Sequence, residues 1–281
     1  LILINIIVFE IFVKIYKFVF LDMLSVIIVN YKQKGLVKNC LKSLLEAKVD
    51  LPLEIIVVDN NSNDGIQQML QDKFPKVKFQ QTGKNLGMGG GNNHGFEKAQ
   101  GDYILMMNPD IFILPETIKK LIKHIQENEK IGILAPRLLN PDRSLQYTCY
   151  RWHNFWTPIY RRTVLGRLPW AKKELERFLM ADFDHQQTSE VNWIQGSCWL
   201  IPKKALDEVG LFDERFFMYF EDTDLCRRMN QAGYKVVYHP EAEVIHLHRR
   251  QSADGSGVKT FFNKLTRVHI YSWLKYMAKW R

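Results

Sequence analysis

The sequence predicts an α/β fold assembled from parallel βαβ units, and three observations carry that reading. Apolar, strand-like runs alternate with helical patterns roughly every 20–30 residues through the first half of the chain, as strand, crossover helix and parallel strand require. The run Tyr103-Ile-Leu-Met-Met107 is apolar at every position, as a strand covered by helices on both faces must be. It stops at Asn108-Pro109-Asp110, because proline has no N–H to give a ladder. Asp110 therefore leaves the sheet at the carboxyl end of its strand, where open α/β sheets build their ligand crevices.

The elements follow in order. Residues 1–22 form an apolar N-terminal extension with Glu10, Lys14 and Lys17 inside it. It lacks the basic start and cleavage site of a signal peptide, and three charges are many for a spanning helix. The domain is read as starting at Met23, the segment before it being a non-native start or an anchor. Leu24-Ser-Val-Ile-Ile-Val-Asn30 is the first strand, followed by a turn at Tyr31–Gly35 and an amphipathic helix, Leu36–Ala47. Leu53–Val58 is the second strand, ending in Asp59-Asn-Asn-Ser-Asn-Asp-Gly65, a polar run suited to capping the helix Ile66–Lys73. Val77–Gln80 is a short strand, and Gly83–Gly95 reads as a glycine-rich loop opening a helix over Asn92–Gln100.

Beyond Asp110, a helix covers Glu116–Asn128 and a strand with its turn covers Gly132–Leu139. Residues 141–190 are irregular and rich in Arg, Trp and Tyr. Val191–Pro202 is strand-like with a break at Gly196-Ser197, Lys203–Val209 is a short helix, and Asp222–Ala232 is a helix closed by Gly233. Tyr234–Tyr238 and Glu243–His248 read as two further strands. From Phe261 the tail interleaves aromatic and basic residues, the pattern of an interfacial helix or of one packed back on the domain.

Composition narrows the class. A formal net charge of +9 favours anionic partners such as nucleotides or an acidic membrane surface. No coherent basic stripe points to nucleic acid. Cys40, Cys149, Cys198 and Cys226 form no C-x-x-C pair, which disfavours a disulfide or zinc framework and fits a reducing compartment. The first βα turn, Asn30-Tyr-Lys-Gln-Lys-Gly35, is not G-x-G-x-x-G, and no P-loop is present.

Several residues then stand out chemically. Asp59 shares a sheet edge with Asp110 and can accept hydrogen bonds from a base N–H or a ribose hydroxyl, or cap the next helix. The glycines from Asn85 onward suit either a donor-pocket wall or tight helix packing. Glu221, Asp222 and Asp224 crowd a helix start. Asp224 can pair with Arg228 at i,i+4, whereas Glu221 and Asp222 have no such partner and suit a general base. His246 and His248 lie on one strand face, and a neutral imidazole beside Asp110 is a plausible metal ligand.

In this order, Ser25-Val-Ile-Ile-Val-Asn-Tyr31, Val57-Val-Asp-Asn-Asn-Ser62, Asn85-Leu-Gly-Met-Gly89, Asn108-Pro-Asp110, Gly210-Leu-Phe-Asp213 and Phe220-Glu-Asp-Thr-Asp-Leu225 closely resemble family 2 glycosyltransferases, inverting enzymes of GT-A fold. The resemblance covers about residues 24–250. It is strongest toward bacterial rhamnosyltransferases and related galactofuranosyl transferases of cell-surface polysaccharide synthesis.

It implies a Rossmann-like, mixed but mainly parallel sheet flanked by helices, with an amphipathic C-terminal helix. A GT-A domain would span 23–250, with a nucleotide-sugar half at 23–112, an acceptor half at 113–250 and a tail at 251–281. Asp110 would hold Mg²⁺ or Mn²⁺ against the donor diphosphate, with His246 as a second ligand. Asn108 replaces the first Asp of the family's D-x-D. Asp59 would contact a pyrimidine base, Asn30 and Tyr31 would flank the nucleoside, and Asn85, Gly87 and Asn108 would complete the donor site. Asp222, with Glu221 beside it, matches the catalytic base. Trp152, Trp156, Trp193 and Trp199 lie in the acceptor half, with Trp193 and Asp224 expected to touch the acceptor.

The implied reaction moves rhamnose from dTDP-rhamnose to a glycan or lipid-linked acceptor at the cytoplasmic face of the membrane, with a homo-oligomer as an open option. A UDP-sugar hexosyl or galactofuranosyl transferase is the alternative enzyme. A non-catalytic, membrane-associated glycan-binding protein is the alternative from another class.

Overall fold

Alternation along the first strand sets the layers. In β1 (Leu24–Asn30), Leu24, Val26 and Ile28 enter one core, and Ile27 and Val29 enter the other, because successive side chains point to opposite sheet faces. The computed structural model describes residues 22–247 and 264–281. The N-terminal extension, His248 and the loop before Lys264 lie outside the described residues.

β1 pairs in parallel with β2 (Leu53–Asp59) and β4 (Tyr103–Met107), and β2 with β3 (Lys78–Gln81). The order across the sheet is β3-β2-β1-β4-β10-β6-β11-β5, with β6 at Ile131–Leu139, β10 at Cys198–Pro202, β11 at Lys235–His246 and β5 at Ile111–Ile113. β10 runs antiparallel to both β4 and β6, while β11 runs parallel to β6. The sheet is thus mixed, and a strand of the second half lies between β4 and β6. Helices α1 (Lys34–Glu46), α2 (Ile66–Lys73) and α4 (Thr117–Gln126) bury their apolar stripes on one face. On the other face lie α3 (Gly87–Phe96), α7 (Lys203–Val209) and α8 (Glu221–Gln231).

Three expectations change. The glycines after Asn85 are not a loop but the body of α3. A Cβ on Gly95 would lie 2.5 Å from Ile27 Cγ2, and one on Gly91 2.8 Å from Val29 Cγ1. The helix therefore sits closer to β1 than a side-chain-bearing helix could, and packing overrides the poor helix propensity of glycine. The two C-terminal strands are one, β11, with its register shifting between His239 and Glu243. Pro240 lies in that gap and has no N–H for the ladder, which is why the pattern reads as broken. Residues 141–190 hold β7 (Cys149–Tyr150), α5 (Thr157–Arg162), a 3₁₀ turn at Val164–Arg167, α6 (Pro169–Phe178) and β8 (Ser189–Glu190).

The tail helix, α9 (Lys264–Lys279), packs back on the domain. Its Trp273 and Tyr276 are buried against Phe216 and Phe220. Among the described residues no helix is long and apolar enough to cross a membrane.

Candidate active site

β1, β2, β4 and β11 all end at the same sheet edge, and that edge collects three polar groups. The first is the pair Asn30 and Asp59, which are register partners at the ends of β1 and β2. Asn30 Nδ2 donates to Asp59 Oδ1 at 2.9 Å and to Ser62 Oγ at 3.0 Å, and its Oδ1 accepts the Gln33 N–H at 3.0 Å. Asp59 Oδ2 accepts the Ser62 N–H at 3.1 Å. Both residues are buried, and the network fixes the turns after both strands. Tyr31 projects from this corner, 44% exposed.

The second group centres on Asp110. β5 begins directly after it and pairs antiparallel with the end of β11, placing Ile111 opposite His246. The Leu247 N–H donates to the Asp110 carbonyl at 2.9 Å. This pairing brings His246 Nε2 to 3.4 Å from Asp110 Oδ2. His246 Nδ1 lies 2.8 Å from Gln146 Oε1, and Gln146 Nε2 donates to the His246 carbonyl at 2.9 Å. With Gln146 Oε1 accepting, Nδ1 carries a ring proton and Nε2 is the nitrogen that faces Asp110. Among the described residues Asp110 Oδ1 is buried without a hydrogen-bond partner.

An orphaned carboxylate oxygen beside an imidazole nitrogen fits a hard divalent cation such as Mg²⁺ or Mn²⁺. No group of three or more His, Cys, Asp or Glu among the described residues could hold a metal alone. Two protein ligands would therefore need phosphate oxygens and water to complete the shell.

The third group is Glu221 and Asp222 at the start of α8. The Thr223 N–H donates to Asp222 Oδ1 at 2.7 Å and the Gly196 N–H to Oδ2 at 3.3 Å. Glu221 Oε2 is buried with no hydrogen-bond partner among the described residues. Burial raises the Glu221 carboxyl well above its usual range, and the neighbouring Asp222 charge raises it further. Burial also raises Asp222, against the pull of the Thr223 and Gly196 N–H groups. Burial raises both carboxyls, Glu221 the further, so the two titrate together rather than as independent groups. The Ser197 carbonyl, one residue from Gly196, accepts the Asn108 N–H at 2.9 Å, tying this group to the Asp110 turn.

Two residues expected at the acceptor are core residues instead. Asp224 is fully buried, with Oδ2 accepting from Arg228 Nε at 2.9 Å and Oδ1 from Lys279 Nζ at 2.6 Å and Trp280 Nε1 at 2.8 Å. It fastens the tail to α8. Trp193 is 6% exposed, its ring stacks on Tyr150 at 4.4 Å and its Nε1 donates to the Arg151 carbonyl. Trp199 is wholly buried, while Trp156 is exposed.

Asn85 Oδ1 accepts the Gly87 N–H at 2.9 Å. Gly87 has φ +78°, and a Cβ there would lie 1.9 Å from the Phe217 carbonyl oxygen, whose acceptor role is to Met88 N–H. That close approach explains this glycine. Gln146 lies in a stretch without periodicity or motif that would signal it, and Gly196 is legible only as a break in a strand-like run. Asn60 was quoted but given no role. Its Nδ2 donates to the Gly87 carbonyl at 2.8 Å, joining the second strand to α3.

The mixed, mainly parallel sheet flanked by helices on both faces is that of the GT-A glycosyltransferase fold. The chain belongs to glycosyl transferase family 2, whose model matches residues 25–210, and it is an enzyme of that class. It is 32% identical over 246 residues to the N-acetylglucosaminyl-diphospho-decaprenol L-rhamnosyltransferase of Mycobacterium tuberculosis, covering 82% of this chain and 78% of that one. It is 26% identical over 268 residues to the rhamnosyltransferase WbbL of Escherichia coli, covering 92% and 94%. The fold is shared with GalNAc-T7 solved with UDP, GalNAc and Mn²⁺ (TM-score 0.64, 17% identity), over 86% of this chain and 47% of that one. It is also shared with a Pyrobaculum calidifontis mannosyltransferase solved with GDP-Man and Mn²⁺ (TM-score 0.56, 15% identity), over 90% and 70%.

Proposed function

We propose that the protein is an inverting, metal-dependent transferase that moves rhamnose from dTDP-rhamnose to a lipid-linked glycan acceptor in cell-surface polysaccharide synthesis. The observation that carries this is the convergence of Asp110 with His246 and of Asp222 with Glu221 at one sheet edge. The names of the two rhamnosyltransferase relatives support the sugar, and the diphospho-decaprenol in the first name supports the acceptor class. Peripheral contact with the inner face of the membrane belongs to the same reading.

Asp110 and His246 would hold a divalent cation, which would supply positive charge to offset that building on the leaving nucleoside diphosphate. Asn30, Tyr31 and Asp59 form the nucleoside end, and Asn85 and Asn108 border the sugar. Asp222 takes the proton of the acceptor hydroxyl as its oxygen bonds to C1 of the sugar. The bond from C1 to the phosphate oxygen breaks on the opposite face, so the anomeric centre inverts. Glu221, holding its proton, keeps a second negative charge out of the base's surroundings.

A donor screen with a short polyprenyl-diphosphate-sugar acceptor tests the reading. Turnover with dTDP-rhamnose that is lost in EDTA and restored by Mn²⁺ or Mg²⁺ is expected. Turnover confined to UDP-galactofuranose or UDP-hexoses would replace the donor, and full activity in EDTA would remove the metal role.

A further inference from the structure

Residues 155–173 contribute nothing to the three polar groups, yet they hold large apolar side chains in water. Val164 is 74% exposed, Trp170 63%, Trp156 51% and Phe155 48%. These residues are not on a loose loop. α5, the 3₁₀ turn and α6 pack on one another, with Gly166 so close to the Tyr160 carbonyl that a Cβ would lie 2.2 Å from its oxygen. The same projection carries Arg167 and Lys173, both exposed and without an ion pair among the described residues. Its acidic residues are already engaged, Glu174 by Arg177 and Glu176 by Lys172.

The tail helix continues this surface. Its inner face is spent on Phe216 and Phe220. Arg267, Tyr271 and Leu274, spaced i, i+4 and i+7, form an exposed outer stripe. The two parts meet where the Phe155 ring packs on Trp273 at 4.9 Å and Arg162 donates to Thr266 Oγ1 at 3.5 Å.

We infer that residues 155–173 and the outer stripe of α9 together form the face by which the enzyme docks on an anionic lipid leaflet. This deepens the membrane contact proposed above and rests on that reading, moving the contact from the tail alone to a helical projection joined to it. Charge complementarity selects the occupant. A second copy of the chain would bring the same unpaired cations to the contact, and like charges oppose it. Trp, Tyr and aliphatic side chains interleaved with Arg and Lys match a headgroup boundary, where rings insert and cations meet anionic lipid. The location also suits the chemistry. His153, two residues before Phe155, packs at 4.9 Å on the ring of Phe220, which immediately precedes Glu221. Docking through this face sets the carboxyl pair beside the surface from which a lipid-linked hydroxyl arrives.

The test is co-sedimentation of the full chain with vesicles of phosphatidylethanolamine and phosphatidylglycerol, against phosphatidylcholine alone. Wild type is expected to bind the anionic vesicles selectively. The variant Val164→Ser/Leu165→Ser/Trp170→Ala should bind at least about tenfold more weakly. The variant Arg167→Gln/Lys173→Gln/Arg267→Gln should bind about a hundredfold more weakly at low salt. Both should keep wild-type turnover on a short-chain soluble acceptor, which separates failure of docking from failure of the catalytic reading. Absence of wild-type binding to the anionic vesicles, or unchanged binding by both variants, would overturn the inference. So would a wild-type dimer that the apolar variant turns into a monomer, since a second copy would then be the occupant.

Discussion

Asn30 and Asp59 on one side of the candidate site, and Glu221 and Asp222 on the other, differ in how their polar atoms are satisfied. The first pair is closed by mutual and backbone hydrogen bonds within residues 30–64. In the second pair Glu221 is buried with one carboxyl oxygen unpartnered among the described residues, Asp222 is half-buried, and desolvation raises both carboxyls. Saturated groups hold shape, whereas a desolvated carboxyl holds a proton that chemistry can use. The side proposed to hold the donor therefore reads as a preformed cradle, and the α8 side is the one proposed to react. Support differs in the same sense. The Asn30–Asp59 side is braced by neighbouring strands, while α8 is held from over fifty residues away by Lys279 and Trp280 of the tail.

The largest expected effect strikes the reactive side. Asp222→Asn removes the proposed base but keeps its volume, and should lower kcat by roughly 10²–10⁴-fold with donor binding retained. Asp59→Asn, on the saturated side, should act mainly on KM for the donor. Steady-state kinetics with the soluble acceptor checks both, and a kcat loss of equal size in the two variants would erase the distinction drawn here.

Stability should divide the two sides as well. Asp224→Ala removes a buried carboxylate shared by Arg228, Lys279 and Trp280. Arg228 keeps the carbonyls of Val209, Gly210 and Leu211, and Lys279 keeps Asp213. The loss should therefore fall at or below the ~3–5 kcal/mol of breaking a buried ion pair from one side. Asp59→Ala leaves Asn30 Nδ2 with Ser62 Oγ and Asp64 Oδ2 as acceptors, so about 1–3 kcal/mol is expected. Denaturant titration of both variants measures the difference. Asp213 adds a pH term on the tail's side. The Arg215 hydrogen bond, with help from Lys279, holds its carboxyl well below the usual aspartate range. That contribution is present above the unfolded-state value and is lost as pH falls through the folded one.

How far the sequence could be read follows the same divide. β1, β4, α2 and α7 lie where the patterns put them, because each is a local matter of alternation, run length and caps. Asp110 was legible as a sheet-edge carboxylate, since proline forces the exit. Its pairing with His246 was suggested by resemblance and is made by β5, a strand of three residues too short to signal itself. The helical state of Gly87–Phe96 was hidden, because glycine's propensity opposes helix and only contact with Ile27 and Val29 explains it. Asp224 and Trp193 were misassigned for a related reason. A carboxylate in an acidic cluster and a tryptophan in an irregular stretch do not reveal what covers them until the tail and β7 are in place.

The proposed metal corner at Asp110 and His246 offers a smaller effect that isolates one contact. Gln146 touches His246 at both Nδ1 and the carbonyl, and so sets which nitrogen faces Asp110. Gln146→Leu should weaken Mn²⁺ binding about 10–100-fold, the usual cost of losing a partner behind a ligand. Titration calorimetry with the nucleotide diphosphate present reads this without turnover, and unchanged affinity would leave Gln146 a loop contact only.

The smallest expected effect tests the pair of Glu221 and Asp222. Asp222 ionises above the ordinary aspartate range because it is buried, and its charge in turn raises Glu221. A base that must be ionised gives a kcat/KM that falls on the acid side as pH drops through its pKa. That limb should lie above the usual aspartate value. Glu221→Gln replaces a carboxyl that is neutral while Asp222 ionises, so the limb should stay in place, with kcat on the plateau largely kept. Linkage gives an independent sign. A carboxyl raised in the folded state stabilises the fold below its unfolded value, and that contribution is lost as pH rises through the folded one. Glu221→Gln should therefore gain stability relative to wild type as pH goes from acid to neutral. A stability difference flat across that range would mean that Glu221 is not raised in the fold, and an acid limb that moves to lower pH would mean that Glu221 carries charge while Asp222 ionises.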